Sequence, residues 1–133
     1  MLRLGNPHNP GGTSYTRAEL SRLAAIAEKH NLLVISDEIH CDLLLDPGKP
    51  HVPIASLSPE VSRRTVTLMA PSKTFNIAGI GLAFAIVEDK ALREAFSFDL
   101  KKSVNDASPM GYEATVAAYC GGGDWGSEGQ TAE

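Results

Sequence analysis

The sequence predicts an α/β fold built on an open, mostly parallel sheet, and three observations carry that prediction. Short apolar runs with many β-branched residues, at 32–35, 65–69 and 82–87, stand among stretches of helical periodicity in the order strand, loop, helix, strand, loop, strand, strand and helices. The run Leu32-Leu33-Val34-Ile35 is apolar without a break, which is the pattern of a parallel strand covered on both faces. Of 133 residues, 43% are hydrophobic, 21% charged and 6% aromatic, which fits a packed globular chain and excludes collagen, coiled-coil and disordered classes.

The elements follow in order. Leu2 to Leu4 reads as the stub of a strand that runs into Asn6-Pro7-His8-Asn9-Pro10-Gly11-Gly12, a loop on composition alone. Thr16 and Glu19 have capping-box spacing, and Leu20, Leu23, Ala24 and Ala27 follow at intervals of three and four, so a helix is expected from Thr16 to about His30. The strand 32–35 then ends at Ser36-Asp37-Glu38. Asp46-Pro47-Gly48-Lys49-Pro50 is a surface turn, and Pro53 to Pro59 reads as irregular. A strand from Thr65 to Met69 stops at Pro71, and another spans Leu82 to Val87. Helices are expected over Lys90–Lys102, with Leu92, Ala95, Phe96 and Leu100 on one face, and over Pro109–Tyr119, capped by Ser108. Residues 121–133 hold five of the 12 glycines and no period, the composition of a disordered tail.

Twelve basic against 16 acidic residues give a net charge of −4, with no basic cluster, so neither nucleic acid nor an anionic membrane surface is an expected partner. No apolar run has the length to span a bilayer. The N-terminal residues lack the regions of a signal peptide, and Cys41 and Cys120 match no metal spacing, so free thiols in the cytoplasm are expected.

Asn9, Asp37 and Lys73 each lie in a polar cluster near the carboxyl end of a predicted strand. Ligands of open α/β sheets bind along that edge. Were the three strands parallel, an amide, a carboxylate and an amine would meet in one crevice. An amine for a Schiff base, a carboxylate to keep a pyridine nitrogen protonated and donors for a phenolate oxygen are what pyridoxal phosphate requires. Each cluster alone also has a plain reading, as a turn, a strand-end cap or a surface lysine.

The wording of the loops is more specific. Asn6-Pro7-His8-Asn9-Pro10-Gly11-Gly12, then Ser36-Asp37-Glu38-Ile39-His40, then Ala70-Pro71-Ser72-Lys73-Thr74-Phe75-Asn76, resemble in order and separation the central signatures of the fold-type I, class I/II aminotransferase superfamily. Within it, the second and third motifs look most like the cystathionine β-lyase branch of MalY/PatB type. The resemblance covers residues 1–119. It implies that 1–120 is the central part of the mostly parallel, three-layer α/β/α large domain, and that the chain is a fragment of a longer, homodimeric parent.

By that resemblance Lys73 binds pyridoxal 5′-phosphate covalently and later acts as base on the substrate α-proton. Asp37 pairs with the ring nitrogen, Asn9 donates to the phenolate oxygen, and Ser72 helps hold the phosphate. His40 stands where many aminotransferases have a tyrosine, a departure that favours the lyase branch; as a lone histidine it reads equally as a structural hydrogen-bonding residue. Ala70 and Gly81 depart from the serine and the phosphate-clamping arginine of many relatives. The implied activity is carbon–sulfur β-elimination on cystathionine or another cysteine S-conjugate, giving pyruvate, ammonia and a thiol. An aminotransferase shares all these residues, and an inert fragment without catalysis is the rival of another class. A half-covered sheet also implies exposed apolar faces and self-association.

Overall fold

The computed structural model describes residues 1–44, 46, 48–123 and 125. Four strands, β1 (Leu2–Gly5), β2 (Val34–Asp37), β3 (Thr65–Met69) and β4 (Phe84–Ile86), form one sheet in the order β1-β2-β3-β4. The first three are parallel and β4 runs antiparallel to β3. The α/β prediction therefore holds, and so does the parallel arrangement on which the shared edge depends.

Helix α1 (Arg17–Lys29) joins β1 to β2 and starts where its capping box is written. The Glu19 N–H donates to Thr16 Oγ1 at 3.3 Å, and the Thr16 N–H donates to Glu19 Oε2 at 2.8 Å. At the other end Asn31 takes the left-handed conformation, φ 47°, which asparagine tolerates better than most residues. The Asn31 N–H reaches Glu28 O at 3.0 Å and the Leu32 N–H reaches Ala27 O at 2.7 Å, a Schellman exit. Because Leu32 is still bonded to the helix, the strand begins at Val34, two residues after the apolar run starts. Asp37 thereby becomes the last residue of β2 rather than a loop residue.

The core lies between one face of the sheet and α1. Leu4 and Val34 meet Leu20, Ala24 and Ala27 of α1, together with Ile54 and Val61. Each fully buried Leu, Ile or Val here contributes about 1.5–3 kcal/mol. Ile54 and Val61 come from a 3₁₀ turn, Ile54–Ser56, and from helix α2 (Pro59–Arg63), in a stretch whose first part the sequence presented as irregular. These elements are too short for a period to show; their signal is local, Ser58 capping the N–H of Val61 and Pro59 at the first helical position.

On the sheet's other face Asp37, Leu68 and Ala85 stand side by side through their register. Across a cavity of about 750 Å³ from them lie Phe96 and Leu100 of α4 (Lys90–Ser103) and Tyr112 of α5 (Pro109–Gly121). Helix α4 has no buried residue and α5 only Gly111. The expected strand over 82–87 is pared to its central three residues, an antiparallel edge strand. Gly121 closes α5, while 124 and 126–133, most of the predicted tail, lie outside the described residues. Among the described residues no helix is long and apolar enough to cross a membrane. Cys41 and Cys120 are free thiols.

Candidate functional site

The parallel register aligns Gly5, Asp37 and Leu68 across three strands, so the segments that follow them leave the sheet along one edge. From β1 comes the loop bearing Asn9, closed into a tight turn by His8 N–H to Thr13 O at 2.8 Å and Gly12 N–H to His8 O at 2.7 Å. Gly12 has φ +64°, which explains a glycine there. Asn9 is exposed at the tip.

From β2 comes Asp37, exposed, with Oδ1 accepting from the Ile39 N–H at 3.4 Å. His40 follows on the turn 39–42 and is half-buried. From β3 the chain passes Ala70 into α3 (Pro71–Thr74), one turn of helix that carries Ser72 and Lys73. Pro71 sets the first helical position and Ala70 supplies no side-chain cap. Lys73 is exposed, and its amine makes no hydrogen bond or ion pair among the described residues.

Two contacts brace the lysine turn. Thr74 Oγ donates to Asp42 Oδ2 at 2.9 Å, tying α3 to the turn after β2. Phe75 packs edge-on against Tyr119 of α5, ring centroids 5.4 Å apart, and Tyr119 meets Phe84 likewise at 6.1 Å. Asp42 also shapes its neighbours electrostatically. Burial, then the Asp42 charge, pushes the Cys41 thiol up to about 12, and burial followed by Asp42 and Cys41 pushes the Tyr119 phenol up as well. Cys41 is therefore an inert thiol beside the site and not a nucleophile.

All the residues singled out in the sequence, Asn9, Asp37, His40, Ser72 and Lys73, thus belong to segments that leave one sheet edge. The 750 Å³ cavity reaches this edge at Asp37, Ile39, Leu68 and Met69; Asn9, His40, Ser72 and Lys73 are not in its lining. It opens on the second face of the sheet and shares Asp37 with the edge. Gly81 has φ +63°, a conformation that strains any side chain, so this backbone does not favour an arginine there. What sequence reasoning missed is the layer behind the edge: Asn6, Ser36, Glu38, Asp42, His51 and Thr74. Two adjacent carboxylates at a strand end were the available signal, since alternation must turn one of them inward.

An exposed amine and an exposed carboxylate on segments of one sheet edge, with the Ser72 hydroxyl next to the amine in sequence and the Asn9 amide on the loop after β1, form a donor set that fits pyridoxal phosphate: covalent anchor, ring-nitrogen partner, and polar donors for oxygens. Comparison with known proteins agrees. The family model described as aminotransferase class I and II matches residues 1–121. Cystathionine beta-lyase PatB of Bacillus subtilis is 43% identical over 126 residues, 94% of this chain and 32% of its own length. The crystal structure of OvoB superposes with a TM-score of 0.95 at 48% identity, covering 98% of this chain and 34% of that one. That of cystalysin from Treponema denticola, which contains a pyridoxal 5′-phosphate cofactor, gives 0.91 at 35% identity over 98% of this chain and 33% of its own. Aspartate aminotransferases match as well. The chain spans about a third of the length of these relatives.

Proposed function

From the premise that the chain belongs to the class I and II aminotransferase family, we propose that it is the central, cofactor-holding part of a carbon–sulfur β-lyase. The family depends on pyridoxal phosphate. The observation that carries the reading is the parallel course of β1, β2 and β3, which delivers the segments of Asn9, Asp37 and Lys73 to one edge. Similarity to a cystathionine β-lyase, together with His40 in the Asp-Glu-Ile-His motif, favours elimination over amine transfer.

When bound, the cofactor supplies an electron sink for the pair released at the substrate α-carbon. The remaining work falls to this chain. Lys73 Nζ anchors the cofactor and, once freed by the substrate amine, takes the α-proton. Asp37 holds the ring nitrogen protonated through its carboxylate. Asn9 and His40 would serve the phenolate oxygen, and Ser72 Oγ would donate to the phosphate. Loss of the α-proton with departure of the Cβ thiolate leaves a three-carbon fragment that water converts to pyruvate and ammonia. The substrate class is cystathionine or another cysteine S-conjugate, and the parent protein is a homodimer.

Addition of pyridoxal phosphate followed by borohydride reduction and peptide mapping tests the site. The expected adduct lies on Lys73 and is lost in Lys73→Ala; an adduct spread over other lysines sinks the assignment. Pyruvate release from cystathionine, set against keto-acid-dependent amine transfer, separates lyase from aminotransferase in the parent protein.

A further inference from the structure

Asp37 and Glu38 are neighbouring carboxylates at one strand end, and the fold treats them oppositely. Strand alternation turns adjacent side chains to opposite faces, so one is presented and the other buried. Asp37 is exposed, whereas the Glu38 side chain is 2% exposed. Glu38 is fully engaged. Its Oε1 accepts from Ser36 Oγ at 2.8 Å, and its Oε2 lies 2.7 Å from His51 Nε2. The oxygens of an ionised carboxylate only accept, so His51 presents an Nε2–H to Oε2, while its buried Nδ1 has no hydrogen-bond partner among the described residues.

His51 lies 13 residues downstream of Glu38, and its side chain is 13% exposed. The next residue, Val52, accepts through its carbonyl from Asn6 Nδ2 at 3.2 Å. Asn6, 1% exposed, accepts on Oδ1 from the Tyr15 N–H at 3.1 Å, and its own N–H donates to Asp37 O at 2.9 Å. The bonds close a ring behind the edge: Asp37 to Glu38 through the chain, Glu38 to His51, Val52 to Asn6, and Asn6 back to Asp37.

We propose that Glu38, His51 and Ser36 form a buried clamp that positions Asp37, deciding which of the two tandem carboxylates faces the ligand edge. A buried carboxylate is tolerated only with its hydrogen-bond partners in place. With His51 and Ser36 supplying both, the inward place is reserved for Glu38 and the outward place falls to Asp37. Without them the strand end opens to hydrate Glu38, and Asp37 loses its fixed aim. His51 and Ser36 are positioning residues that touch no cofactor atom in this scheme. The inference rests on the reading that Asp37 pairs with the ring nitrogen, but the sorting of the two carboxylates is testable without cofactor.

The experiment is carbodiimide-driven amidation of the cofactor-free chain, mapped by mass spectrometry, on wild type, His51→Leu, His51→Gln and Ser36→Ala, each checked by thermal melting. Wild type is expected to label at Asp37 and to spare Glu38 by about tenfold or more. His51→Leu exposes Glu38 to labelling, and His51→Gln, which keeps a side-chain N–H donor, restores its protection. If His51→Leu does not fold, Ser36→Ala decides, with a severalfold rise in Glu38 labelling. Equal labelling of both carboxylates in wild type, or protection unchanged in the folded variants, overturns the clamp.

A titration with pyridoxal phosphate then separates positioning from mere support. Affinity is expected to fall about tenfold in folded His51→Leu or Ser36→Ala and to recover in His51→Gln. Unchanged affinity with altered labelling removes the positioning role. A wild type that takes up no cofactor sinks the functional reading, while the labelling pattern still decides the clamp.

Discussion

Helices α1 and α4 carry the same apolar periodicity, a proper side-chain cap and basic residues in the last turn, yet they end in opposite environments. Leu20, Ala24 and Ala27 of α1 are buried against the sheet; no residue of α4 is buried. The contrast extends to the regions around them. The whole core cluster lies between Leu4 and Val61, whereas Ile86, Phe98, Leu100, Val104, Met110, Tyr112, Val116 and Tyr119 are exposed. Amphipathicity says which face of a helix wants a partner, and packing is a separate fact that the helix's own sequence does not contain. The closed half braces the strand end that carries Asp37, whose own side chain opens on the other face. From the open half the ring of Tyr119 packs on Phe75 of the lysine turn.

The largest measurable difference between the two halves is in their thiols. Cys41 belongs to the closed side and Cys120 lies exposed near the end of α5. With its pKa pushed up from 9.0 to about 12 by burial and the Asp42 charge, Cys41 keeps its proton at neutral pH. At pH 8 about one Cys41 in ten thousand is a thiolate, so iodoacetamide should modify Cys120 at least about a hundredfold faster. Equal rates in a peptide-resolved time course break the comparison. The sign for stability follows: above pH 9 the unfolded chain releases the Cys41 proton and the folded chain keeps it, so stability falls as pH rises from 9 towards 12. Cys41→Ala should flatten that part of the urea-midpoint profile.

Next in size is the core itself. Leu20 is 0% exposed, so Leu20→Ala should cost about 2–5 kcal/mol through lost burial and a cavity. Leu100 is 44% exposed, and Leu100→Ala should stay within about 0.5 kcal/mol. Paired urea melts measure both. A Leu100 variant as damaged as the Leu20 variant would show that α4 is packed against something in solution, a second copy included, and sedimentation at two concentrations identifies that case.

How much of this was legible beforehand divides along the same line. Capping boxes, Ser-Pro and Asn-Pro-Gly-Gly turns and the β-branched runs are local, and they located α1, β3, α4 and α5 to within a residue or two. That the segments of Asn9, Asp37 and Lys73 leave one edge was legible because loops follow strand ends, and a parallel sheet gathers strand ends at one edge. The Glu38–His51 pair and the Thr74–Asp42 bond were not, since each joins residues 13 and 32 apart and only the fold decides which polar residue faces inward. The two-residue displacement of β2 has the same origin: the exit of α1 claims Leu32 before the strand can.

The smallest test sharpens the comparison most, because it holds the chemistry constant. Thr16 caps α1 through the Glu19 N–H, and Asp89 caps α4 by accepting from the Leu92 N–H at 2.8 Å. Removing either side chain deprives a helix of about 1 kcal/mol. In α1, whose apolar face is built into the core, opening the first turn strains Leu20, one residue beyond it, so Thr16→Ala should lower the midpoint of global unfolding by that amount. In α4 nothing in the core depends on the first turn, so Asp89→Ala should leave the midpoint unchanged and instead speed amide exchange at Leu92 and Arg93, the latter's N–H being bonded to Asp89 O at 2.9 Å. If both substitutions shift global unfolding equally, the two helices belong to one cooperative unit. The open half is then held by contacts among partly exposed groups, Tyr119 against Phe75 and Phe84 foremost, rather than by burial.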